Sequence, residues 1–92
     1  MDIEFSQSAK QSLALIKRRD RKLFDKIIKQ LALFRINPKH PSLRLHKLSG
    51  KLNDSWTISV GMKIRLVYRQ RIVGGKVKAV FYAIGTHKEV YK

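Results

Sequence analysis

The stretch Ile64–Thr86, IRLVYRQRIVGGKVKAVFYAIGT, decides how this chain folds. Ile64, Leu66 and Tyr68 fall on one side of a two-residue period while Arg65, Val67 and Arg69 fall on the other, the pattern of a strand. Gly74 and Gly75 supply the positive φ angles of a tight hairpin turn. In the returning segment Val77, Ala79, Phe81 and Ala83 line one face, and Val80, Tyr82 and Ile84 much of the other. Apolar residues on both faces predict an interior strand covered on both sides. Upstream, Trp56, Ile58 and Val60 alternate with Ser55, Thr57 and Ser59, and Gly61 and Met62 turn the chain. The three segments together read as an antiparallel meander.

Towards the N-terminus the period changes. DIEFS alternates and predicts a short first strand. Ser6 or Ser8 is then placed to cap a helix, and Ser8 with Gln11 has capping-box spacing. Ala9, Leu13 and Ile16 share one face of that helix. Asp20 is a cap for a second helix, where Phe24, Ile27, Ile28, Leu31 and Phe34 recur every three or four residues and Arg21, Lys22, Lys26 and Lys29 take the opposite side. INPKHPS ends it, because two closely spaced prolines remove donors and push their predecessors into extended geometry. The expected architecture is α+β in one domain spanning residues 1–92: a short N-terminal strand, a two-helix hairpin and a three-stranded antiparallel meander forming one sheet, with the helices on one face. The other face, and the strand ends near the C-terminus, are left as a concave basic surface.

Charge narrows the function. There are 21 Lys plus Arg against 6 Asp plus Glu, a formal balance of +15 with the positives spread along the chain. Such a field draws polyanions, nucleic acid foremost, and an acidic protein partner by the same physics. No segment approaches the roughly 20 apolar residues of a membrane span. The first residues lack the order of a secretory signal, so a cytoplasmic location is expected. The absence of cysteine removes disulfides and thiolate metal chemistry, and three histidines without close spacing do not make a metal site, so no cofactor is expected. Glycine-rich phosphate loops, nucleophile elbows and paired carboxylates are missing too.

Four residues stand out for chemistry. Arg65 sits among apolar neighbours in a strand, where an arginine needs an anionic partner or an open face, and it is the first choice for a phosphate ligand. His46, in RLHKLSGKL, is flanked by Arg44, Lys47 and Lys51, with Gly50 allowing close backbone approach. The alternative for His46 is a solvated loop that Leu43, Leu45 and Leu48 pin to the core. His87 follows Gly85 and Thr86 at a strand end, and one helical turn over residues 87–91 would put His87 and Tyr91 on one face. The alternative there is a packing tyrosine and a surface histidine on a docking tail. RNA cleavage needs a base for the ribose 2′-hydroxyl, cations for the phosphorane and an acid for the departing 5′-oxygen, and these residue types provide all three.

HKLSGKL, the W-x-I-x-V strand, IRLVYR and the closing IGTHKEVY, in that order, resemble the RelE/ParE superfamily of bacterial toxins, and within it the RelE- and YafQ-type mRNA interferases. The resemblance implies a toxin-antitoxin system whose toxin is a ribosome-dependent endoribonuclease: it cuts mRNA in the A site and inhibits translation. It further implies a monomeric toxin silenced in a higher-order complex by a cognate acidic antitoxin. By the same resemblance His46 and His87 are the catalytic histidines, Tyr91 the C-terminal aromatic, and Arg65 the arginine acting on the scissile phosphate. Lys47 and Lys51 correspond to the basic loop, and Arg44, Lys63 and Arg69 join them as RNA contacts. Ser59 and Lys63 stand where the YafQ pattern has a second histidine and an aspartate. Two alternatives share the charge pattern: a non-catalytic ParE-like toxin that inhibits DNA gyrase, and a plain nucleic-acid-binding module.

Overall fold

Alternating polarity in residues 55–86 builds most of a five-stranded sheet in the computed structural model, which describes residues 1–50 and 54–90. The elements run β1 (Asp2–Phe5), α1 (Gln7–Arg19), α2 (Arg21–Ile36), a 3₁₀ turn (Pro41–Leu43), β2 (His46–Lys47), β3 (Ser55–Val60), β4 (Ile64–Val73), β5 (Lys76–Thr86) and α3 (His87–Val90). The strand order is β1-β5-β4-β3-β2, with β1 parallel to β5 and the other pairs antiparallel. The α+β architecture and its meander are as expected. The fifth strand, β2, is new: residues 46 and 47 read as loop in sequence but pair with Thr57 and Trp56.

Gly74 and Gly75 have φ of 59° and 79°, both positive as a two-residue hairpin loop of this kind requires. Strict alternation fails farther along β5. Val67 pairs with Ala83 but Tyr68 pairs with Phe81, so a bulge leaves Tyr82 as an extra residue. Beyond it the two faces exchange. Ile84 packs on the core, whereas Ala83, opposite Val67, lies on the other face, the reverse of what unbroken alternation predicts.

The helices cover the face carrying Ile58, Val60, Leu66, Tyr68, Ala79 and Phe81, which meet Ile27, Leu31 and Phe34 of α2 in one cluster. Ile28 is 45% exposed, so the buried stripe of α2 is narrower than its spacing suggested, with Leu23 and Leu33 completing it from the sides. Asp20 caps α2 by accepting from the Leu23 N–H at 3.1 Å. At α1 the cap is Ser6, whose Oγ accepts from the Ala9 N–H at 3.1 Å. Ser8 lies inside the helix and donates its hydroxyl to the Tyr82 carbonyl, so the Ser8–Gln11 box does not form. No helix among the described residues is long and apolar enough to cross a membrane.

Tyr68 sits at the centre of the core, its ring centroid 5.1 Å from those of both Phe34 and Phe81. Burial pushes its phenol up to about 12, since the phenolate is poorly solvated there. The folded state holds this proton more tightly than the unfolded chain, whose tyrosine titrates near 10. The stabilisation is therefore complete below about pH 10 and is lost as pH rises towards 12. Tyr68→Phe should flatten that decline, measured as melting temperature against pH; an identical alkaline decline in the variant would show that other groups govern it.

Candidate active site

On the sheet face away from the helices, an open cavity of about 320 Å³ is lined by Arg44, His46, Thr57, Ser59, Arg65 and His87. Its floor is β3. Thr57 and Ser59 are 2% and 3% exposed, and short side chains there leave the depth that larger residues would fill. β2 lays His46 opposite Thr57 on one side, and β4 lays Arg65 opposite Ser59 on the other. Arg65 is also opposite Gly85, and only because the bulge has exchanged the faces of β5.

Arg65 is the second residue of β4, nearer the strand's start than its apolar neighbours implied. Its guanidinium donates to the carbonyls of Met62 and Ile64 at 3.4 and 3.3 Å. It forms no ion pair with a carboxylate among the described residues, so its charge remains for a ligand. Arg44 follows the 3₁₀ turn in a left-handed conformation, φ 48°. That geometry costs a non-glycine residue about 1–2 kcal/mol. The turn is anchored on both sides: Leu43 is fully buried, and Gln30 of α2 donates its amide to the carbonyls of Ser42 and Ser59. One glutamine thus ties the turn that carries Arg44 to the strand that forms the floor.

His87 is the first residue of α3. The Thr86 N–H donates to Glu89 Oε1 at 2.8 Å and the Glu89 N–H donates to Thr86 Oγ1 at 3.4 Å, a reciprocal capping box. The Thr-x-x-Glu spacing of Thr86 and Glu89 is the sequence signal for this element. Gly85 completes it, because a Cβ there would lie 3.0 Å from Glu89 Oε1 and 3.1 Å from its Cβ.

The structure brings four predicted residues together, Arg44, His46, Arg65 and His87, and leaves the others apart or undescribed. Lys47 points to the helix side, its ammonium 5.7 Å from the centre of the Trp56 ring, because adjacent strand residues face opposite ways. Lys63 lies in the exposed turn before β4, outside the cavity. Arg69 shares the cavity's face of the sheet but pairs with Asp54 at 3.3 Å and covers the Tyr82 ring. Lys51 and Tyr91 lie outside the described residues. Gly50 has φ of 70°, a left-handed backbone that favours glycine. Leu43, Leu45 and Leu48 do pin the loop. Thr57 and Gln30 carried no sequence signal. Among the described residues no three His, Cys, Asp or Glu side chains group to hold a metal ion.

No family profile matches the sequence, and no curated protein does. Solved structures do match. A YoeB/ParE toxin from Agrobacterium tumefaciens superposes with a TM-score of 0.78 at 18% identity, covering 95% of this chain and 99% of its own. YafQ from E. coli gives 0.70 at 21%, covering 99% and 98%. YoeB from a YoeB-YefM complex of Staphylococcus aureus gives 0.71 at 20%, covering 95% and 97%. This chain has the YoeB/ParE and YafQ toxin fold. The likeness runs the length of both partners in each case, and at these identities it speaks for the fold alone.

The capping box makes a local prediction. Glu89→Ala should speed amide hydrogen exchange at Thr86 about five- to tenfold, the effect of losing a cap worth about 1 kcal/mol, while Glu89→Gln, which can still accept, should exchange near the parental rate. Equal protection in all three proteins would show that the box does not hold α3.

Proposed function

We propose that this chain is the toxin of a type II toxin-antitoxin pair and acts as a ribosome-dependent mRNA endoribonuclease. The observation that carries the reading is the lining of the cavity: two guanidinium groups and two imidazoles around a polar floor, with no carboxylate among the described residues that line it. A phosphodiester is the substrate such a set suits, since two guanidinium groups among the described lining residues face it.

One imidazole, of His87 or His46, accepts the proton of the ribose 2′-hydroxyl as its oxygen attacks the adjacent phosphorus. The other donates a proton to the departing 5′-oxygen. Arg65 and Arg44 stabilise the negative charge that builds on the phosphorane oxygens, and Arg65 brings a guanidinium with no carboxylate partner among the described residues. Attack by the neighbouring hydroxyl leaves a 2′,3′-cyclic phosphate on one fragment and a 5′-hydroxyl on the other. The ribosome would present the mRNA in the A site, with the basic surface around the cavity meeting the phosphates.

The +15 balance also supports a cognate acidic antitoxin that covers this face and silences the toxin, and the fold relative YoeB is known in complex with YefM. The toxin alone would be a monomer, and the complex with antitoxin a larger assembly.

Expression without an antitoxin, followed by mapping of mRNA ends, tests the reading. It predicts growth arrest through blocked translation, with new ends inside translated frames. Inhibited DNA supercoiling with translation intact would contradict it and favour a gyrase inhibitor. Within the same assay Arg65→Ala should lower cleavage roughly 10²-fold or more, as expected for a group that meets charge in the transition state. Lys26→Ala, on the outer face of α2, should change it little; equal losses would mean that overall charge and not a placed ligand is responsible.

A further inference from the structure

Farther along the cavity's face of the sheet lies a second polar cluster that the cleavage chemistry does not use. The Arg69 guanidinium carbon stands 4.6 Å from the centre of the Tyr82 ring. The Tyr82 hydroxyl meets Ser55 Oγ at 2.6 Å, Ser55 Oγ donates to Asp54 Oδ1 at 3.3 Å, and Arg69 Nε closes the ring of contacts on Asp54 Oδ2 at 3.3 Å. Asp54 and Tyr82 together hold the Arg69 guanidinium over an aromatic ring, yet its side chain remains 54% exposed. A planar cation, fixed by two partners, is therefore left about half exposed to solvent.

That cluster is continuous with the cavity. Ser55 is the same strand and the same face as Thr57 and Ser59 of the floor, and Arg69 continues the row of Arg65 and Val67 on β4. Four residues along β3 separate Ser55 from Ser59, about 13 Å at ~3.3 Å per residue. A nucleotide chain whose reacting phosphate sits beside Arg65 passes over this cluster with a neighbouring nucleotide. Phosphate binding is a poor use of Arg69, because Asp54 already neutralises it. Stacking is not impaired by that pairing: a guanidinium lying on an aromatic ring offers a second flat face, and nucleobases stack on such planes without regard to sequence.

We infer that Arg69, backed by Tyr82 and fixed by Asp54, is a stacking platform for the base of one nucleotide adjacent to the scissile phosphate. This rests on the endoribonuclease reading and adds a base-binding subsite to it. Its contribution is to fix the register of the RNA in the cavity, with a preference for the larger face of a purine over a pyrimidine.

A cycle combining base removal with a change at Arg69 tests it. Ribosomes programmed with mRNA carrying an abasic nucleotide on either side of the mapped cleavage position are cut by the parent protein and by Arg69→Lys, which keeps the charge and loses the plane. The platform predicts that abasic mRNA slows the parent roughly tenfold at one of the two positions, and slows Arg69→Lys far less at that same position. An equal penalty in both proteins, or none in the parent at either position, overturns the subsite while leaving the cleavage reading in place. Failure of the parent to cut intact mRNA overturns the cleavage reading, and the subsite falls with it.

Discussion

One extra residue in β5 governs the geometry of everything that follows it. With unbroken alternation Ala83 and Gly85 would face the helices and Ile84 the open side. The bulge at Tyr82 reverses this, so Ile84 enters the core and Gly85 comes to lie opposite Arg65 on the face of the cavity. His87, two residues on, then begins α3 at the cavity rim. Tyr82, the bulged residue, keeps the open face, where it reaches Ser55 and carries Arg69. Core packing enforces the arrangement, since reversing it would expose Ile84 to water and press an unneeded glycine into the apolar layer.

Around that register the cavity is assembled from pieces that the sequence keeps far apart. Gln30 comes from a helix, Arg44 from a strained turn, Ser59 and Arg65 from adjacent strands, and His87 from a capped final turn. Burial fixes Ser59, and hydrogen bonds fix Gln30, Arg65 and the cap that opens α3. Elsewhere two of the acids are engaged on the surface: Asp25 with Arg21, and Glu4 with Lys78, whose ammonium holds the Glu4 carboxyl below the usual carboxylate range. What remains is a surplus of positive charge that opposes compaction, so a bound polyanion would stabilise the fold.

Much of this was legible in the sequence, and the failures have physical causes. Period-two alternation located β3, β4 and β5, the glycine pair located the hairpin, and Asp20 located the break between the helices. The choice of Arg44, His46, Arg65 and His87 came from residue chemistry and family resemblance, and the fold places all four in one cavity. Alternation could not reveal the bulge, because Val80, Tyr82 and Ile84 are apolar enough for either face. Nor could it show that the two-residue strand β2 turns Lys47 onto Trp56 and away from His46. Ser6 outcompetes Ser8 as a cap because β1 ends at Phe5, a boundary set by pairing with β5 and invisible locally. Gln30 and Thr57 act through contacts that depend on the finished fold, and no local pattern announces them.

The central claim is that His87 moves a proton during RNA cleavage and is not merely part of a docked tail. Measuring melting temperature and mRNA cleavage rate on a single variant, His87→Gln, addresses it most directly. The account predicts a protein as stable as the parent that cuts ribosome-bound mRNA slower by roughly 10²-fold or more, the usual loss for a missing general acid or base. A stable variant that cuts at the parental rate would contradict it.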